Sequence, residues 1–214
     1  MLALSLAPRG EAMATFAVGV PEGKWIHISV PRKCLTLYEG TTALATYTVA
    51  TGTWQTPTPL GVYRINSRFA GEMTGFGTRF LGINVPWGQY GIHGTNKPGS
   101  IGGNTSHGCV RMFVKDAEKL YAAVPNGTVV VIEGGPYGLM DGGYRVLRPG
   151  DRGNQVTAVL DKLRALGFYT GGSDGIYGAG MSRAVKAARA AYGLAAQDVV
   201  DAALYRALGI IQFE

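Results

Sequence analysis

The spacing of apolar residues changes once along this chain, and that change limits what the chain can fold into. Up to about residue 135 the apolar residues recur at every second position, as on half-buried strands. Trp25-Ile26-His27-Ile28-Ser29-Val30 is the first such run and Cys34-Leu35-Thr36-Leu37-Tyr38 the second. The Glu39-Gly40 turn leads to a third, from Ala43 to Ala50, which makes a hairpin or meander. Thr56-Pro57-Thr58-Pro59-Leu60-Gly61 reads as a rigid turn before a strand at Val62 to Asn66. A long Gly-rich stretch then runs to Gly91, and Tyr90-Gly91-Ile92 is a short strand closed by His93. Lys115 to Val124 has helical spacing at Ala117, Leu120, Tyr121 and Val124, and Val129 to Ile132 is a last strand after the Asn126-Gly127 turn. Residues 20–135 are therefore expected to form a mainly antiparallel β-domain with one helix packed on it, and residues 1–20 an irregular arm.

Gly134 to Gly143 carries five glycines and reads as a linker. Beyond it the spacing becomes that of a helix. Val156, Leu160 and Leu163 mark one helix face ended by Gly167, and Ala184, Val185, Ala188 and Tyr192 mark a second ended by Gly193. Asp201 fits the N-cap of a third helix, ended by Gly209. Residues 144–214 are expected to be a small three-helix unit.

Composition narrows the partners. The net charge is +6, spread along the chain with no basic stripe and no interleaved aromatics, which argues against a nucleic-acid surface and fits an anionic polymer. No apolar run approaches the ~20 residues of a membrane-spanning helix, so no integral membrane segment is expected. Leu2 to Ala7 is short and has no basic residue before it, so no clear signal peptide is visible. Two cysteines, Cys34 and Cys109, are too few for a disulfide framework. Cys34 lies in an alternating strand and is expected to be a buried hydrophobe, and His27 a sheet-face residue.

The chemistry is concentrated in two short segments, His93-Gly94-Thr95 and Ser106-His107-Gly108-Cys109-Val110-Arg111-Met112. A thiol nucleophile needs a base that draws off its proton and donors for the oxyanion formed when it attacks a carbonyl. Gly108 permits a sharp bend that turns main-chain N–H groups toward the reacting carbon. A nearby imidazole is expected to lower a thiol pKa from its usual ~8.5. Arg111, two residues past Cys109 on an extended strand, points to the same side and fits a carboxylate. Each part also has a plainer reading: a hydrogen-bonded structural histidine, a small buried hydrophobe, an ordinary loop. His93, His107 and Cys109 are also zinc-ligand types, although the paired spacings of structural zinc sites are absent. Trp54, Trp87 and Tyr90 fit the flank of a substrate groove and equally fit packing in the core or at its rim.

Together these motifs, with the Thr56 to Gly61 turn upstream, resemble the signature of the L,D-transpeptidase (YkuD-type) catalytic domain. The resemblance implies a β-sandwich-like fold, making the whole chain mainly β plus a small all-α domain, with a catalytic domain at 20–135. It implies an enzyme that cross-links peptidoglycan stem peptides. The bond between the third, diamino residue and D-Ala at position four is cleaved, the acyl group rests on a cysteine thioester, and it then passes to an amine of another stem. By position, Cys109 matches the nucleophile, His93 the base and the Gly94 carbonyl the group that orients it. The N–H groups of His107, Gly108 and Cys109 match the oxyanion hole, with His107 in a supporting role. Arg111, Ser106, Tyr90 and Trp87 are the expected substrate contacts. No metal or organic cofactor is implied. Carbapenem β-lactams are the implied covalent inhibitors. Release of D-Ala to water, as in an L,D-carboxypeptidase, and a non-catalytic wall-binding role are the alternatives.

The C-terminal unit is similar to the three-helix peptidoglycan-binding domain. Leu147-Arg148-Pro149-Gly150-Asp151-Arg152-Gly153, Leu166-Gly167-Phe168-Tyr169 and Asp174-Gly175-Ile176-Tyr177-Gly178 carry that similarity. The usual Gln of the first helix and Phe-Gln of the second are missing; Asp161 and Ala188-Arg189 stand nearby. The implied partner is wall glycan, and the implied setting is extracytoplasmic, in the cell wall or a spore envelope. On this reading residues 144–214 tether the enzyme and take no part in chemistry.

Overall fold

The computed structural model describes residues 21–135, 138–140 and 143–210. The arm expected at 1–20, including the Leu2 to Ala7 segment, lies outside them. The first domain is a mixed β-structure of ten strands: β1 (Lys24–Ser29), β2 (Cys34–Glu39), β3 (Thr42–Thr48), β4 (Thr51–Gly52), β5 (Gly61–Met73), β6 (Gly77–Ile83), β7 (Tyr90–Gly94), β8 (Asn104–Ser106), β9 (Val110–Met112) and β10 (Val129–Glu133). Eight of them form one sheet in the order β3-β2-β1-β10-β5-β6-β7-β9, and β4 pairs with β8 apart from it.

Thirteen-residue β5 joins the two halves of the large sheet. Its start pairs with β10 and its remainder with β6, with register shifts that bend it. Both halves then feed one core: Ile26, Ile28, Leu35 and Leu37 from one side, Ile65, Leu81, Ile92 and Met112 from the other. This is the sandwich-like arrangement, since only a sheet folded over on itself brings both sets together. The sheet is more mixed than alternation implied. β1–β10, β7–β9 and β4–β8 are parallel pairs. β1 is central and covered on both faces, so His27 is buried along with Ile26 and Ile28; its Nε2 lies 3.3 Å from Glu133 Oε2. Cys34, expected to be buried, is only half-buried at the start of β2 and is a free thiol. The glycine-rich stretch before Gly91, to which residue spacing assigns no element, contains the end of β5 and all of β6. Helix α1 (Val114–Ala123) sets Ala117 and Leu120 into the core over β6 and β7.

The second domain has its own core. Helices α2 (Asn154–Ala165), α3 (Ala179–Ala191) and α4 (Ala202–Ala207) enclose Leu147, Val156, Leu160, Leu163, Tyr177, Val185 and Leu204. They end at Gly167, Gly193 and Gly209, as their spacing predicts. Asp201 accepts from Leu204 N at 2.9 Å and caps α4. Arg189, which replaces an expected glutamine, is 3% exposed. Its guanidinium donates to the Ala195 and Val199 carbonyls and pairs with Asp201 at 3.1 Å. The glycine-rich connection is not a free spacer along its described part: residues 138–140 form a 3-10 turn, and Leu139 packs against the first core.

The Asp201 carboxyl is held below the usual carboxylate range. Burial alone would raise it, but the Leu204 N–H and the Arg189 guanidinium outweigh burial. Asp201→Ala removes a cap and leaves a buried guanidinium without its counter-ion, so it should destabilise the helical domain by roughly 3 kcal/mol in a denaturant titration. The Asp201 contribution should be complete above the ordinary aspartate pKa of about 3.9 and vanish as pH falls through the lower folded value. A variant as stable as the parent at neutral pH would refute this role.

Candidate active site

Strands β7 and β9 run side by side in parallel, with Ile92 opposite Val110 and His93 opposite Arg111. Alternation along the two strands then places Gly91, His93, Cys109 and Arg111 toward one face. Gly91 has no side chain there, and a Cβ would come within 2.5 Å of the Phe80 ring. The Gly91 N–H faces the Cys109 thiol and acts to lower its pKa. Cys109 is half-buried and His93 is 2% exposed.

The imidazole of His93 is held on all sides. Phe80 stacks on it at 5.9 Å and 18°, and Phe76 tilts against it at 4.6 Å and 59°. Its Nδ1–H donates to the Gly94 carbonyl at 2.5 Å. A carbonyl can only accept, so Nδ1 carries the proton and Nε2 is left as the basic nitrogen. Burial pushes His93 down to about 4, with help from the Arg111 charge and against the Gly94 bond. Burial also pushes the Cys109 thiol above its ordinary range; the Gly91 N–H and Arg111 oppose it but do not win. Burial thus favours the neutral form of both groups, thiol over thiolate and imidazole over imidazolium. This reverses the lowered thiol pKa expected from the sequence, because desolvation penalises the thiolate more than its neighbours stabilise it.

Ser106 fixes the turn that carries Cys109. It is 1% exposed, donates through Oγ to the Cys109 carbonyl at 2.5 Å and accepts from Gly108 N at 3.0 Å. Its own carbonyl accepts from Thr53 N at 3.0 Å and from Thr56 Oγ1 at 3.1 Å. Ser106 is thus committed inside the turn and does not offer its hydroxyl to a substrate, as its sequence position had led us to expect. The Gly108 N–H is likewise bonded to Ser106. Gly108 sits at φ 112°, and a Cβ there would meet Tyr90 Cε1 at 2.5 Å, so both the bend and the close ring require glycine. His107 is exposed beside it. Arg111 donates Nη1 to the Thr105 carbonyl at 3.1 Å, while its buried Nε has no hydrogen-bond partner among the described residues. Among those residues, no group of three His, Cys, Asp or Glu is gathered as metal ligands, so His93, His107 and Cys109 do not form a zinc cluster.

The second domain is docked against this region. Asn154 at the start of α2 accepts from Leu60 N at 2.9 Å and donates to the Thr58 carbonyl at 3.1 Å, gripping the Thr56 to Gly61 turn. The backbone at Gly175 lies so close to Trp87 that a Cβ would fall 2.4 Å from its ring. Trp87 is therefore partly committed to the domain contact. Phe76, Phe80 and Gly91 escaped sequence reasoning. The run Phe80-Leu81-Gly82-Ile83 does carry strand-like apolar residues, but the surrounding glycines disguised it.

Residues 23–132, just over half of the chain, match the family model of the L,D-transpeptidase catalytic domain, YkuD, and the protein belongs to that family. Residues 152–208 match a peptidoglycan-binding domain family. Similar proteins include those carrying the name L,D-transpeptidase YkuD from Bacillus subtilis (strain 168), 42% identical over 107 residues, and from Bacillus licheniformis, 41% identical over 107 residues. In each case the match covers 50% of this chain and 64% of the relative. An L,D-transpeptidase structure from Mycobacterium tuberculosis H37Rv is 21% identical with a TM-score of 0.47, covering 52% of this chain and 57% of that one. The catalytic domain of the E. faecium enzyme is 22% identical with a TM-score of 0.46, covering 53% and 99%.

The neutral pair makes a pH prediction. In Cys34→Ser protein, alkylation of Cys109 by iodoacetamide should be slow in mild acid and rise through and above the ordinary thiol range. It should show no step near the usual histidine pKa of about 6.5, since His93 stays neutral there. A fast rate that is flat from mild acid to neutrality would mean a thiolate–imidazolium pair instead.

Proposed function

We propose that this protein is a cysteine-dependent L,D-transpeptidase acting on peptidoglycan stem peptides. The observation that carries the reading is the carbonyl-pinned His93, with Nε2 basic, on the strand beside Cys109. In the first half-reaction the Cys109 sulfur attacks the carbonyl of the third residue and its proton passes to His93 Nε2. The N–H groups of His107 and Cys109 are assigned to the oxyanion, because Ser106 already occupies that of Gly108. The C–N bond to D-Ala breaks, and His93 returns the proton to the leaving amine. In the second half-reaction an acceptor amine attacks the thioester, gives its proton to His93, and the sulfur leaves. Arg111, half-buried two residues past Cys109 with only Nη1 spent on the Thr105 carbonyl, holds a carbonyl or carboxylate of the donor.

The family membership and the peptidoglycan-binding-like second domain support an activity at the cell wall. Among the described residues no helix is long and apolar enough to cross a membrane. The same thiol is proposed to open the strained carbonyl of a carbapenem.

Intact mass after incubation with a stem tetrapeptide, with and without an amine acceptor, tests acylation and its fate together. The parent should gain the tripeptide acyl mass and lose it faster when the amine is present. Cys109→Ala should gain nothing, and His93→Ala should acylate about 10²–10⁴-fold more slowly. An adduct on Cys34, or one that survives Cys109→Ala, would refute the assignment. Loss of the acyl group at one rate regardless of amine would make the protein a carboxypeptidase.

Arg111→Ala removes a charge-assisted bond of roughly 1.5–3 kcal/mol and should lower kcat/KM for the donor by about one to two decades, with an unchanged melting temperature. A variant that unfolds would show Arg111 to be structural.

A further inference from the structure

The two domains enclose a cleft of about 260 Å³. The catalytic domain contributes an aromatic and imidazole wall of Trp54, Trp87, Tyr90 and His107. The helical domain contributes Arg145 and Arg152. The cleft lies beside the reacting thiol, because the Tyr90 ring rests on Gly108, the residue before Cys109. Asn154 keeps the walls in register by gripping the Thr58 carbonyl and Leu60 N–H.

The two guanidinium groups are the unexplained feature. Both side chains are exposed, and among the described residues neither pairs with a carboxylate. Arg145 spends one N–H on the Arg152 backbone carbonyl at 2.9 Å, which fixes its side chain on the same wall of the cleft that Arg152 lines. The remaining donors are unassigned. Two guanidinium groups lining one small cleft, with no carboxylate paired to either, favour an anion there. Planar guanidinium groups suit carboxylates, and the facing aromatic rings suit the methylenes of a diamino side chain.

Acyl transfer uses two peptides in turn, and Arg111 is already assigned to the donor. We propose that the interdomain cleft is the acceptor subsite: Arg145 and Arg152 bind a carboxylate of the incoming stem peptide and aim its amine at the thioester on Cys109. The helical domain then selects the acceptor, a role beyond the tether that its family likeness implies. The assignment rests on the transpeptidase reading above.

The experiment has two arms, so that the two readings fail separately. In the first, full-length Cys109→Ala protein, which cannot turn over, is titrated with a stem peptide bearing free carboxylates and with the same peptide amidated. The free-carboxylate peptide should bind more tightly. Adding Arg145→Ser and Arg152→Ser should weaken it roughly tenfold, with no effect on the amidated peptide. Paired lysine substitutions, which keep the charge, should retain most of the affinity and guard against a folding defect. In the second arm, on Cys109-intact protein, the serine pair should leave the rate of acylation by tetrapeptide unchanged. Transfer to a carboxylate-bearing amine should slow by a similar factor, and transfer to a simple amine should not. Equal binding of both peptides, or equal loss on both acceptors, overturns the carboxylate assignment. Slowed acylation moves the cleft to the donor side and overturns the acceptor assignment. If nothing acylates Cys109 but carboxylate-dependent binding persists, the transpeptidase reading fails and the binding site stands.

Discussion

The geometry of the site depends on one buried hydroxyl. Ser106 closes the turn ahead of Cys109 by donating to the Cys109 carbonyl and accepting from Gly108 N, while its carbonyl is held by Thr53 and Thr56. A buried hydroxyl with both roles filled gives a turn one arrangement, because any other would strand a polar group away from water. The turn sets Gly108 at φ 112°, which favours glycine, and only a glycine there lets the Tyr90 ring approach so closely. The position of the thiol, the entrance to the cleft and the grip of the Thr56 to Gly61 turn on the helical domain all follow from this set of bonds.

Much of this was legible from residue spacing. Period two located β1, β2, β3 and β10 closely, and period 3.6 with terminal glycines located all three helices of the second domain. Strand direction was not legible, since alternation is the same in parallel and antiparallel pairs, and the parallel β7–β9 pairing is what brings His93 and Arg111 level. β6 was lost because glycines at 77 and 82 interrupt its pattern, although Phe80 on that strand forms one wall around His93. The candidate site residues Cys109, His93 and Gly94 came from a motif, and the structure sets His93 and Gly94 on β7 and Cys109 just before the neighbouring β9. Ser106 had the right importance with the wrong part: nothing in a sequence tells a hydroxyl aimed at substrate from one turned back on its own chain.

The helical domain gives the clearest case of information that spacing does not hold. Its core is self-contained, as amphipathic helices demand. Which face meets the first domain is decided by Asn154, whose amide serves one donor and one acceptor of a proline-containing turn, and by the close approach of Gly175 to Trp87. Each is an ordinary surface residue in the sequence. Together they turn a linked domain into part of the groove wall, and they bring into it some of the positive charge that composition showed only as a diffuse excess.

A neutral thiol–imidazole pair also constrains how the proposed chemistry runs. An imidazole held near 4 by burial is a weak base, which favours proton transfer from Cys109 in step with attack on the carbonyl over transfer ahead of it. The same property helps in the next step. Once protonated, such an imidazole is a strong acid, suited to giving its proton to a departing amine, and departure of an amine is the harder half of breaking an amide. Desolvation by Phe76 and Phe80 therefore moves difficulty out of leaving-group expulsion and into nucleophile activation. Arg111 links the two: its charge lowers both the imidazole and the thiol. A donor carboxylate that neutralised Arg111 would raise the basicity of His93 and, by the same loss of charge, raise the thiol pKa, so the two effects on proton transfer oppose each other.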